Sequence, residues 1–146
     1  MRHLYSLTFL MALLAATACK STKYTPENFP QKQLLFGTGG GFTGQTRTLV
    51  LLENGQVFLK EMGATAFSEL PKVKKKEAKS FYEAADDLQL GTLNFNHPGN
   101  LYQFVELQKD GGAVRATWGD DKFPVDQKVK DLFIALNGLV KIETKR

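Results

Sequence analysis

Cysteine occurs once in the 146 residues, at position 19, and histidine twice, at positions 3 and 97. One thiol closes no intrachain disulfide and builds no Cys-rich metal site. Tryptophan also occurs once, and no apolar run approaches the roughly 20 residues that span a bilayer as a helix. Charge of one sign is lacking too: 19 basic residues against 15 acidic ones leave a net charge of +4. That balance is too small to argue for nucleic acid as a partner. There is no internal repeat and no low-complexity tract.

The first residues carry a specific pattern. Arg2 and His3 precede an apolar stretch from Leu4 to Ala16, which ends in small residues immediately before Cys19. A basic start, a short apolar core and small residues at a cut site form a secretory signal. A single cysteine directly after Ala16-Thr17-Ala18 resembles a bacterial lipobox, although Ala16 stands where lipoboxes favour leucine. The resemblance implies that Cys19 becomes the acylated first residue of the mature chain. Two or three acyl chains make a stable anchor where one is marginal. Residues 1–18 are thus expected to be a lipoprotein signal peptide, and residues 19–33 the lipidated cysteine and a flexible tether. Lys20 to Gln33 is polar, contains two prolines and lacks an apolar period. Loss of Arg2 with the signal lowers the formal charge from +4 to +3.

Residues 34–146 are long enough for a single domain with one modest core. Thr46–Leu52 and Val57–Lys60 are β-rich runs around Asn54-Gly55, a strong hairpin signal. Leu101–Gln108 and Val114–Trp118 repeat the pattern around Asp110-Gly111-Gly112. Leu101, Gln103, Val105 and Leu107 share one face of that arm. Ala78, Phe81, Ala84, Ala85 and Leu88 form a helical stripe within Val73–Leu90, with Gly91 as the expected C-cap. Val125, Val129, Leu132, Phe133, Leu136 and Val140 form another, with Pro124 and Asp126 at its start. The expected fold is α+β in the order ββαββα: a four-stranded antiparallel sheet with two helices packed on one face.

No catalytic residues, metal ligands or cofactor emerge. Gly39, Gly40, Gly41, Phe42 and Gly44 mimic a nucleotide loop, since G-x-G-x-x-G runs from Gly39 to Gly44. Such loops need a helix next, whose free N–H groups hold phosphate. Thr46-Arg47-Thr48-Leu49-Val50 follows instead and is strand-like, so no nucleotide is expected. The stretch is read as a glycine-rich lead-in to the hairpin, or as a binding loop whose backbone faces a partner. His97 lies in turn chemistry, His-Pro-Gly-Asn. Asp120, Asp121 and Asp126 lack calcium-loop spacing. A carboxylate-dependent enzyme would need Glu106 to meet Asp120 or Asp121 in the fold. Lys72, Lys74, Lys75, Lys76 and Lys79 crowd the positive end of the first helix, against its dipole. They are a candidate membrane-facing basic patch, which would make the protein a structural one of the membrane surface; otherwise they are a solvated face.

The segments FGTGGGFTG, LLENGQVF, PGNLYQFVELQ and ATWGD, in that order, resemble a group of small Bacteroidota envelope lipoproteins. That group brings no established activity to transfer. The resemblance implies the periplasmic face of the outer membrane. Surface export in that phylum goes with acidic residues after the cysteine, and Lys20-Ser21-Thr22-Lys23 stands there instead. The expected function is a membrane-anchored, non-catalytic interaction domain whose partner is an envelope protein or component.

Overall fold

The computed structural model describes residues 22–143, with side chains through residue 140. The signal segment and Cys19 lie outside the described residues. In chain order the strands are β1 (Gln33–Gly40), β2 (Thr46–Leu51), β3 (Val57–Lys60), β4 (Ser68–Leu70), β5 (Phe95–His97), β6 (Leu101–Lys109) and β7 (Gly112–Trp118). Helix α1 (Lys75–Asp87) separates β4 from β5, and α2 (Gln127–Glu143) follows β7. The strands form one sheet in the order β4-β3-β2-β1-β6-β7-β5. All neighbours are antiparallel except β5 and β7, which are parallel.

This arrangement corrects the expected four-stranded antiparallel sheet. The class is α+β, but the sheet has seven strands and is mixed. The largest difference is β1, which takes in Gly37, Gly39 and Gly40 and lies between the two hairpins, paired with β2 and β6. Its glycines are strand residues because rings of β6 fill the space where side chains would stand. A Cβ on Gly37 would lie 2.0 Å from the Arg47 carbonyl oxygen and 3.0 Å from the Phe104 ring. One on Gly39 would lie 2.5 Å from the Tyr102 ring. β4 and β5 have three residues each, too few for alternation to register. β5 runs parallel because the chain crosses beneath the sheet through α1 before it reaches the far edge of β7.

Both hairpin turns form where the turn residues direct them. Gly55 takes φ 90°, and Asp110 and Gly111 take φ 51° and 75° between the paired Lys109 and Gly112. Both helices pack on one face of the sheet, here called inner, over Leu34, Phe36, Leu49, Leu51, Val105 and Leu107. Tyr82, outside the expected stripe, is buried on α1 and donates to the Leu51 carbonyl at 2.6 Å. Burial, reinforced by the Glu53 charge, pushes its phenol pKa far above the usual value and keeps it neutral. α1 stops at left-handed Gln89 (φ 52°), not at Gly91, and this places Leu90 in the core. α2 starts where Asp126 accepts from the Lys128 N–H at 2.8 Å.

The outer face carries a second, smaller cluster. Val50, Leu52 and Phe58 are buried there beneath Tyr24, Phe29, Leu35 and Phe67. Phe29 meets Phe58 and Phe67 edge-on at 4.8 and 5.6 Å. The described part of the expected tether is therefore packed on the sheet, because its two aromatics cover apolar surface. Its polar composition concealed this.

Two glycine-to-alanine changes are expected to move stability in opposite directions. Nothing lies within 4 Å of a Cβ at Gly138, inside α2, so Gly138→Ala stabilises by about 0.5–1 kcal/mol through backbone entropy. Gly37→Ala overpacks the β1–β2–β6 contact and destabilises by about 1–3 kcal/mol. Urea unfolding of the two variants measures both signs.

Candidate binding cleft

Antiparallel register places four inner-face residues in one row across four strands. Arg47 pairs with Thr38, Thr38 with Gln103, and Gln103 with Trp118. The preceding inner row, Leu49, Phe36, Val105 and Ala116, is buried in the main core. Phe133 of α2 meets the Trp118 ring edge-on at 5.4 Å. Beyond that contact Thr38, Gln103 and Trp118 form the floor of an open cleft of about 540 Å³. Met62 and Leu101 line its sides, and Asp121 and Lys130 bring one charge of each sign. A smaller depression of about 150 Å³ continues past Trp118, Asp121 and Lys130 to Phe123 and Pro124.

The floor is held by specific bonds. The Trp118 indole N–H donates to Gln103 Oε1 at 2.8 Å, which satisfies a ring that is only 5 % exposed. Arg47, at the end of the row, is paired with Glu61 at 3.2 Å. His97 stacks on Phe123 at 4.2 Å and meets Phe95 edge-on at 4.8 Å, so it is a packed ring beside the cleft. The residue is in strand β5, not in the turn expected there. The backbone holds the end wall, where the Asp120 N–H donates to the His97 carbonyl at 3.1 Å.

The rim is apolar. Leu101, Met62 and Phe123 are 69 %, 48 % and 48 % exposed, and Phe42, on the β1–β2 turn that approaches Leu101, is fully exposed. These four belong to loops and strand ends at one end of the sheet. The fifth large apolar side chain exposed among the described residues, Ile134, lies on α2.

The glycine loop is part of this end. Gly39 and Gly40 close β1, while Gly41, Phe42 and Gly44 form the turn. The Gly40, Gly41 and Gly44 N–H groups donate to Gln45, Asn100 and Gly41 carbonyls. The loop therefore uses these donors internally and presents Phe42 outward. The two carboxylate partners considered for an enzyme do not converge. Glu106 faces outward, bonded to Arg115 at 2.5 Å and Gln108 at 2.6 Å. Asp121 lines the inner-face cleft, and Asp120 closes a local turn by accepting from the Lys122 N–H. Among the described residues, no three His, Cys, Asp or Glu side chains gather as a metal site.

Lys72, Lys74, Lys75, Lys76 and Lys79 are all exposed, and no ion pair joins any of them among the described residues. The cleft residues Thr38, Met62, Gln103, Trp118 and Lys130 carried no functional signal in the sequence. One clue was present: Gln103 interrupts an otherwise apolar face of β6. The chain matches no protein-family model, and no curated protein is similar enough to serve as a relative.

Gln103→Leu removes the acceptor of a nearly buried indole N–H. The expected cost is about 1–3 kcal/mol in urea unfolding, from the unsatisfied donor. Trp118 is the sole tryptophan, so its fluorescence reports the change at the cleft directly. Unchanged stability and emission would contradict the proposed floor.

Proposed function

We propose that the protein is a lipid-anchored bacterial envelope lipoprotein whose domain binds an envelope protein without catalysing a reaction. The binding face is the cleft and its apolar rim. One observation carries this reading: exposed Met62, Leu101 and Phe123 line the cleft and its continuation, and fully exposed Phe42 stands on the β1–β2 turn at the same end of the sheet. Exposed apolar side chains scattered singly are ordinary, whereas a group rimming a concave site marks an interaction surface. Polar and charged groups on its floor and sides, Gln103, Asp121 and Lys130, would set orientation, while the rim supplies area.

The anchor in this proposal is Cys19, on the signal segment and lipobox pattern, with the periplasmic face of the outer membrane as the address. No helix among the described residues is long and apolar enough to cross a membrane. Lipid on Cys19 would hold the domain at the surface.

Photo-crosslinking in intact cells tests the binding face. A photoreactive residue placed at Phe42, Leu101 or Phe123 is expected to give the same discrete adduct, and one at exposed Asp87 is expected to give none. Adducts from Asp87 alone, or from no position, would overturn the assignment.

A further inference from the structure

The lysine run stands where the chain departs toward Cys19. Two consecutive residues of the β2–β3 turn hold both features together. Asn54 Nδ2 donates to the Thr22 carbonyl at 2.7 Å, and the Gly55 carbonyl accepts from the Val73 N–H at 3.0 Å. The approach at Gly55 is close enough to exclude a side chain, since a Cβ there would lie 2.3 Å from the Val73 carbonyl oxygen. Thr22 and the base of the lysine run are thus neighbours in space, although fifty residues of sequence separate them.

Three residues of chain separate Thr22 from Cys19, and extended chain spans at most about 3.6 Å per residue, so residue 19 stays within about 11 Å of Thr22. That reach is close to the Debye length of about 8–10 Å at ordinary ionic strength. A lipid on Cys19 would therefore hold the base of the lysine run close to a charged surface. The helix start offers these lysines little compensation. Its N-cap is Lys74, without a side-chain cap bond, and Glu77 is the acidic residue of the first turn. Lysine charge and the helix's own positive end add with the same sign.

We infer that the lysine face docks on anionic phospholipid headgroups beside acylated Cys19, and so orients the cleft away from the bilayer. The inference rests on the lipoprotein reading proposed above. An acyl anchor and a polybasic face are the paired signals that fix a protein at a membrane surface. Each lysine near such a surface strengthens association about fivefold. The Phe42 turn lies at the other end of β2, whose six residues span about 20 Å.

The test uses the acylated protein in phosphatidylcholine vesicles with and without phosphatidylglycerol. A fluorophore is placed at Ser80→Cys on α1 or at Thr43→Cys beside Phe42, and a headgroup-bound quencher reads its proximity to the membrane. Ser80 is expected to be quenched and Thr43 not, only when the anionic lipid is present and only at low salt. Lys74→Gln, Lys75→Gln and Lys76→Gln together are expected to lower the docked-to-undocked ratio roughly fivefold per lysine that reaches the headgroups. Equal quenching at both sites, or insensitivity to lipid charge, overturns the docking. The mass of residue 19 tests the anchor separately, and an unacylated residue overturns the lipoprotein reading. In that case the mature Cys19→Ser chain decides the lysine face: salt-sensitive binding to the anionic vesicles supports it, and no binding overturns it.

Discussion

The side chain of Gln56 sets the direction of the whole molecule. It is fully buried, and its amide has four partners. Oε1 accepts from the Tyr24 N–H at 2.8 Å and from Asn54 Nδ2 at 2.7 Å. Nε2 donates to the Tyr24 carbonyl at 3.0 Å and to Glu69 at 2.9 Å. One residue of the N-terminal segment is thus held through both its backbone groups, as a strand neighbour would hold it. A glutamine amide has two donors and two acceptor sites, and here every one is used. Removing a single partner would strand buried polar groups, so the clamp favours one position of the segment.

That position divides the protein into two ends. Fixing Tyr24 seats Phe29 over Phe58 and Phe67, which closes the outer apolar cluster. It also fixes Thr22 beside Asn54, so the chain departs at the β2–β3 turn. The inner face is closed by the two helices as far as the row that ends at Ala116, and the next row, with Thr38, Gln103 and Trp118, floors the open cleft. Packing at one end and an uncovered sheet at the other follow from helices that cover only part of the strand length. The proposed functions divide along the same axis, with attachment at the turn and recognition at the cleft.

Signals confined to a few adjacent residues were legible in the sequence. Asn54-Gly55 and Asp110-Gly111 announce hairpins because tolerance of positive φ is a property of those residues themselves, and Gly55, Asp110 and Gly111 adopt it. The helices were legible because an apolar stripe needs only a periodic neighbourhood. β1 was not, since its glycines are explained by Phe104 and Tyr102, more than sixty residues away, whose rings fill the missing side-chain space. The packed segment was hidden similarly: Tyr24 and Phe29 look isolated until Gln56 and Phe58 are set beside them. The cleft was least legible, because Thr38, Gln103 and Trp118 come from three strands and meet only through register. Phe42 drew attention within the glycine stretch, yet its place beside the apolar rim depends on where Leu101, Met62 and Phe123 stand.

Hydrogen–deuterium exchange at the Tyr24 amide tests the clamp most directly. The account predicts a protected amide in the wild type, with protection lost in Gln56→Ala while the β1 and β6 amides remain protected. A Tyr24 amide that already exchanges as fast as an unstructured chain in the wild type would contradict the account, and the two-ended arrangement with it.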